Sequence, residues 1–87
     1  MQADHAQITR LLNTAKGQLE GILKMIEDDR YCLDISNQLM ATEAILNKAN
    51  KEIISAHMKH CLLQSQSPKQ REAKVAELIT LLDKMNR

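Results

Sequence analysis

Three residues offer chemistry in this chain: Cys32, His57 and Cys61. His57 and Cys61 stand four apart, and on a helix that spacing places both side chains on one face, a turn from each other, where they can grip a single ion. Alone, the pair also reads as a polar surface residue beside a small packed thiol, because free Cys behaves as a small hydrophobe. Cys32 adds a second thiol, 25 residues before His57 and 29 before Cys61. Whether it joins the pair depends on the elements that carry all three.

Those elements are helical throughout. From Asp4, Ile8, Leu11, Leu12, Ala15, Leu19, Ile22, Leu23 and Ile26 recur at three- and four-residue spacing, which predicts a helix over about 4–28. Asp4 suits its N-cap, and the run Glu27-Asp28-Asp29-Arg30 suits the turn that ends it. Gly17 and Gly21 lie inside this helix, where a close helix crossing would account for them. A second helix is predicted over about 32–63, a stretch with neither Gly nor Pro, along a stripe of Ile35, Leu39, Leu46, Ala49, Ile53, His57 and Leu62. The polar run Gln64-Ser65-Gln66-Ser67 interrupts it. Ser67-Pro68-Lys69-Gln70 reads as a capping box with Pro at the first helical position, opening a third helix over 68–85 with a stripe of Val75, Leu78, Ile79, Leu82 and Met85. The chain therefore reads as one all-α domain spanning 1–87, three helices with a long central one.

On one straight helix, Cys32 lies about 38 Å from His57 and about 43 Å from Cys61, beyond any coordination or disulfide distance. Two such helices packed antiparallel place the start of one beside the end of the other. Cys32 of one subunit then meets His57 and Cys61 of its partner, and two-fold symmetry repeats the site. Two thiolates and an imidazole form a soft, low-coordinate donor set that favours Cu(I) and disfavours Mg²⁺ and Ca²⁺. Zinc accepts the same donors with a fourth ligand, which His60 would have to supply from a different face, and Ni(II) asks for more nitrogen than His5 and His60 readily offer. Both of those histidines read as solvated.

Composition narrows the function classes. With 87 residues, 12 basic against 11 acidic side chains, a single Tyr and neither Phe nor Trp, the chain has no aromatic platform for single-stranded nucleic acid and no strong overall field. A chain of this size gains stability by oligomerising. It has no Gly-rich phosphate loop and no nucleophile and base in a testable order, so an enzyme is not expected. No apolar run is long enough for a membrane span, and the N-terminal stretch lacks a signal pattern, which points to the cytoplasm, where thiols stay reduced and serve as ligands or sensors.

The run Lys16-Gly17-Gln18 with Gly21, then Met25-Ile26-Glu27-Asp28-Asp29-Arg30-Tyr31-Cys32, then His57 and Cys61 at these separations, resembles the CsoR/RcnR family of metal- and thiol-responsive transcriptional repressors over nearly the whole chain. The resemblance implies a three-helix subunit, an antiparallel dimer and a dimer of dimers. It implies that the metal-free protein holds operator DNA and that Cu(I), bound by Cys32, His57 and Cys61, releases it. It also implies a relay through the His by a Tyr just before the first Cys and a Glu in the third helix, positions matched by Tyr31 and Glu77.

For DNA, the cations and polar groups available are Arg10, Lys16, Gln18 and Lys24 on the first helix, with Lys48 and Lys51 on the second. The first helix carries fewer arginines around its Gly-Gln motif than relatives do, and Glu20 stands among the lysines. Summed over several subunits the cations still form a phosphate-contacting face through counterion release, read largely by shape. Two rival functions use the same scaffold. One is a copper buffer or transfer protein without DNA binding. The other is a thiol or persulfide sensor in which Cys32 and Cys61 of neighbouring subunits join.

Overall fold

The computed structural model describes residues 1–64 and 67–85, without the side chains of Leu62 and Gln64. The Leu62 side chain of the central stripe, and Ser65 and Gln66 of the polar run, thus lie outside what the structure describes. The chain forms three helices: α1 His5–Glu27, α2 Cys32–Gln64 and α3 Pro68–Met85. No strand occurs among the described residues.

The boundaries follow from local chemistry. The Asp4 carboxylate accepts from the Ala6 N–H at 3.0 Å and the Gln7 N–H at 3.4 Å, which satisfies donors that the first turn leaves without intrahelical partners. At the other end the Asp29 N–H donates to the Ile26 carbonyl at 3.1 Å and the Arg30 N–H to the Met25 carbonyl at 2.9 Å. That pair is a Schellman stop with Asp29 in the left-handed position at φ 54°. Asp tolerates this conformation better than a β-branched residue does, so the acidic turn ends α1 without a glycine. Ser67 caps α3: its hydroxyl accepts from the Gln70 N–H at 3.2 Å, and its carbonyl accepts from the Arg71 N–H at 3.2 Å. Pro68, the first helical residue, loses nothing there because its position has no N–H bond to make.

Two compact units make up the chain, Asp4–Asn50 and Met1–Ala3 with Lys51–Arg87. In the first, α1 buries Ile8, Ala15 and Ile22, and the facing part of α2 buries Thr42 and Ala49. Both sets repeat every seven residues, the spacing at which a helix returns to nearly the same face. In the second unit Met58 of α2 is buried, and Ile54, Leu78, Leu82 and Met85 line a groove beside it with Lys51.

The apolar band of α1 is wider than its neighbour covers: Leu12, Leu19, Leu23 and Ile26 remain 45%, 45%, 66% and 57% exposed. They sit on the flank of the band, which one helix contacting the Ile8–Ala15–Ile22 line cannot reach. Gly17 and Gly21 do not mark a crossing within the chain, since an added Cβ at either would meet nothing within 4 Å. They follow Ala15 by two and six positions, which turns them about 160° and 120° from that buried residue. Alanine therefore fits both sites. Gly17→Ala and Gly21→Ala should each raise the unfolding free energy by about 0.5–1 kcal/mol, read from urea titrations at one fixed protein concentration. A loss of stability would instead mean that another chain approaches this bare strip.

Candidate metal centre

α2 brings two of the expected ligands together. The Cys61 Sγ lies 3.4 Å from the His57 Nε2, a consequence of the four-residue spacing on a continuous helix. His57 is exposed and Cys61 half-buried, and neither thiol is in a disulfide. The donor set passes a test of fit. For a soft ion, bonds of about 2.1 Å to nitrogen and about 2.3 Å to sulfur let two donors at this separation touch one metal without moving apart. Binding through Nε2 leaves Nδ1 free to be oriented by a neighbour.

Cys32 occupies the other end of the same helix, as its first residue, and is exposed. The structure does not bring it to the His57–Cys61 pair, and among the described residues no three His, Cys, Asp or Glu side chains converge on a common point. Tyr31, just before Cys32, is 66% exposed. Its carbonyl accepts from the Asp34 and Ile35 N–H groups at 3.0 and 3.2 Å and so starts α2. Glu77 faces solvent on α3, with its Oε2 3.8 Å from the Lys74 Nζ. His60 is half-buried rather than solvated as its sequence position implied, while His5 opens α1 and is exposed.

The cationic candidates are all at the surface. Arg10, Lys16, Lys24, Lys48 and Lys51 are exposed, and the Arg10 Nη1 donates to the Gln7 Oε1 at 2.8 Å. Gln18 differs. It is half-buried, and its side-chain oxygen accepts from the Thr42 hydroxyl at 2.8 Å, so it faces α2 and not the surface that carries Lys16 and Lys24. Thr42 is a residue that sequence reasoning passed over. The available signal was its place between Ile35 and Ala49 at seven-residue spacing, where an apolar residue would be the ordinary choice.

The model of the metal-sensitive transcriptional repressor family matches residues 4–84. The chain belongs to that family. It is 37% identical over 68 residues to the copper-sensing transcriptional repressor CsoR of Mycobacterium ulcerans (strain Agy99), covering 78% of this chain and 58% of that one. The match thus spans less than two thirds of that relative's length. Among solved structures, the copper-sensing repressor CsoR with Cu(I) from Geobacillus thermodenitrificans NG80-2 is similar with a TM-score of 0.79 and 29% identity, over 94% of this chain and 85% of that one. A variant of the formaldehyde-responsive regulator FrmR from Salmonella enterica serovar Typhimurium is similar with a TM-score of 0.72 and 28% identity, over 90% and 89% of the two chains. These relatives of the metal-sensitive repressor family are regulators, not enzymes, and they share the all-α fold. No helix among the described residues is long and apolar enough to cross a membrane.

The Lys74–Glu77 pair is exposed on both sides, at 41% and 56%, and such pairs contribute little to stability. Glu77→Gln should therefore leave the urea midpoint within the equivalent of about 0.5 kcal/mol. A larger loss would show that Glu77 has a structural partner in the assembled protein.

Proposed function

We propose that this chain is a Cu(I)-responsive repressor whose metal site is divided between two subunits, with His57 and Cys61 from one and the partner subunit's Cys32 completing it. The observation that carries the reading is the 3.4 Å approach of the Cys61 Sγ to the His57 Nε2 on a helix whose first residue is an exposed Cys32. Two soft donors are in place, and a third of the same kind waits at the far end of the rod.

Helical periodicity supports the division. At 100° per residue, Cys32, Leu39, Leu46, His57 and Cys61 fall within about 60° of one another around α2. Leu39 and Leu46 are 42% and 43% exposed, an apolar seam between the two ends that a second copy of α2 would cover. Antiparallel pairing that sets Cys32 opposite the His57–Cys61 turn puts the two-fold axis beside Leu46, so the seam packs against itself and two equivalent sites result. The partly covered band of α1 adds apolar surface to the same requirement.

Cu(I) suits this set because two thiolates and an imidazole are soft donors. When bound, the ion supplies a cross-link between subunits, and Tyr31 and Glu77 are proposed to influence it through His57. The metal-free protein holds operator DNA through exposed cations on α1 and α2, Arg10, Lys16, Lys24, Lys48 and Lys51 among them, as a dimer or dimer of dimers. Copper weakens DNA binding to the extent that it prefers the arrangement unfit for DNA, and DNA weakens copper binding by the same factor. A copper buffer without DNA binding is the second reading, favoured by the engagement of Arg10 with Gln7 and by a net charge of only +1.

Subunit mixing tests the account. Cys32→Ala and Cys61→Ala proteins should each fail to bind Cu(I) tightly and should each stay on the gene's own upstream DNA when copper is added. Unfolded, refolded and mixed one to one, half the dimers are heterodimers that each regain a single intact site, so tight binding should return at roughly one copper per four chains. No recovery on mixing would overturn the divided site. Absence of salt-sensitive binding to that DNA by the unaltered protein would favour the buffer.

A further inference from the structure

Thr42 is the buried polar residue of the described chain, 2% exposed in a layer otherwise built of Ile8, Ala15, Ile22 and Ala49. Its hydroxyl meets two acceptors, the Gln18 side-chain oxygen at 2.8 Å and the Gln38 carbonyl at 3.1 Å. The second contact lies within α2 and persists however α1 sits. The first joins the two helices. A hydroxyl carries one proton, so the two acceptors share it, and the shorter contact is the one to the Gln18 oxygen.

The apolar layer is similar from one heptad to the next, so the short turn over 28–31 and the polar pair are what tell one register from another. Ile8, Ala15 and Ile22 repeat every seven residues, and so do Ile35, Thr42 and Ala49. Sliding one helix by a heptad, about 10 Å, still sets aliphatic residues against aliphatic residues. It does not preserve the polar pair. A slipped α1 faces Gln18 toward Ile35 or Ala49, neither of which offers a side-chain polar atom, and a buried amide without a partner is penalised. One polar pair in an apolar helix seam is a known way to specify register.

We propose that Gln18 is a positioning residue: its bond to Thr42 sets the register of α1 on α2. It thereby fixes where the cations of α1, Lys16 and Lys24, stand relative to the helix that carries Cys32. Gln18 affects DNA binding by holding α1 in place, without touching DNA itself. The functional half of this inference rests on the repressor reading, while the register half does not.

The test is a double-mutant cycle of Gln18→Met and Thr42→Val, swaps that remove the polar groups at similar volume. Amide NMR spectra of the full-length protein read the register without copper or DNA. The unaltered protein should give one set of α1 resonances, and both single variants and the double should give doubled or exchange-broadened ones with helicity retained. The double should be no worse than either single, because one interaction is lost once. Single sharp sets at unaltered shifts in all three variants would overturn the proposal.

Affinity for the gene's own upstream DNA supplies the second arm. Thr42→Val and Gln18→Met should each weaken it by about tenfold and shrink the copper-driven change in affinity. Loss in Gln18→Met with full affinity in Thr42→Val would make Gln18 a direct DNA contact instead and contradict the positioning role. If the unaltered protein binds no DNA, the repressor reading fails and the NMR arm still decides the register.

Discussion

The length of α2 is the constraint on which everything else depends. Thirty-three residues without a break make a helix of about 50 Å, with a thiol at its first residue and an imidazole and a thiol in its last two turns. A rigid helix cannot fold back on itself, so the soft donors at its two ends can share an ion only by recruiting a second chain. The same rod exposes Leu39 and Leu46 along its middle, and α1 leaves one flank of its apolar band uncovered. Exposed apolar surface and the proposed ligands lie on the same helix.

That coincidence gives the proposed sensor its economy. A metal that bridges two subunits reports on how those subunits are arranged, and any arrangement it favours changes the spacing of cations carried by each copy. The coupling need not travel far: α1, with Lys16 and Lys24 on its surface, is attached to α2 by an apolar seam and by the Gln18–Thr42 bond. Linkage then requires only that copper and DNA prefer different arrangements.

Much of the fold was legible because its signals are local. Asp4, the Asp28–Asp29 turn and the Ser67–Pro68 step each act within a few residues, and each ends or begins a helix where chemistry of that kind predicts. The His57–Cys61 contact was legible for the same reason, being a matter of one helical turn. What could not be read were relations between faces. The width of the α1 band did not reveal which half a neighbour would cover, and Leu12, Leu19, Leu23 and Ile26 lie exposed within the single chain. The glycines suggested a crossing that α2 does not make. Gln18 looked like one more polar residue in a surface motif, and only its approach to Thr42 shows which way it points. The roles of Tyr31 and Glu77 came from family resemblance alone, and within one chain both are exposed.

The most direct test of the central claim is X-ray absorption on the protein loaded anaerobically with one Cu(I) per chain, measured beside the Cys32→Ala variant. The account predicts two sulfurs and one nitrogen around copper in the unaltered protein, and loss of one sulfur in the variant. An unchanged two-sulfur, one-nitrogen shell in Cys32→Ala would contradict it, because the second thiolate would then come from somewhere other than the partner's Cys32.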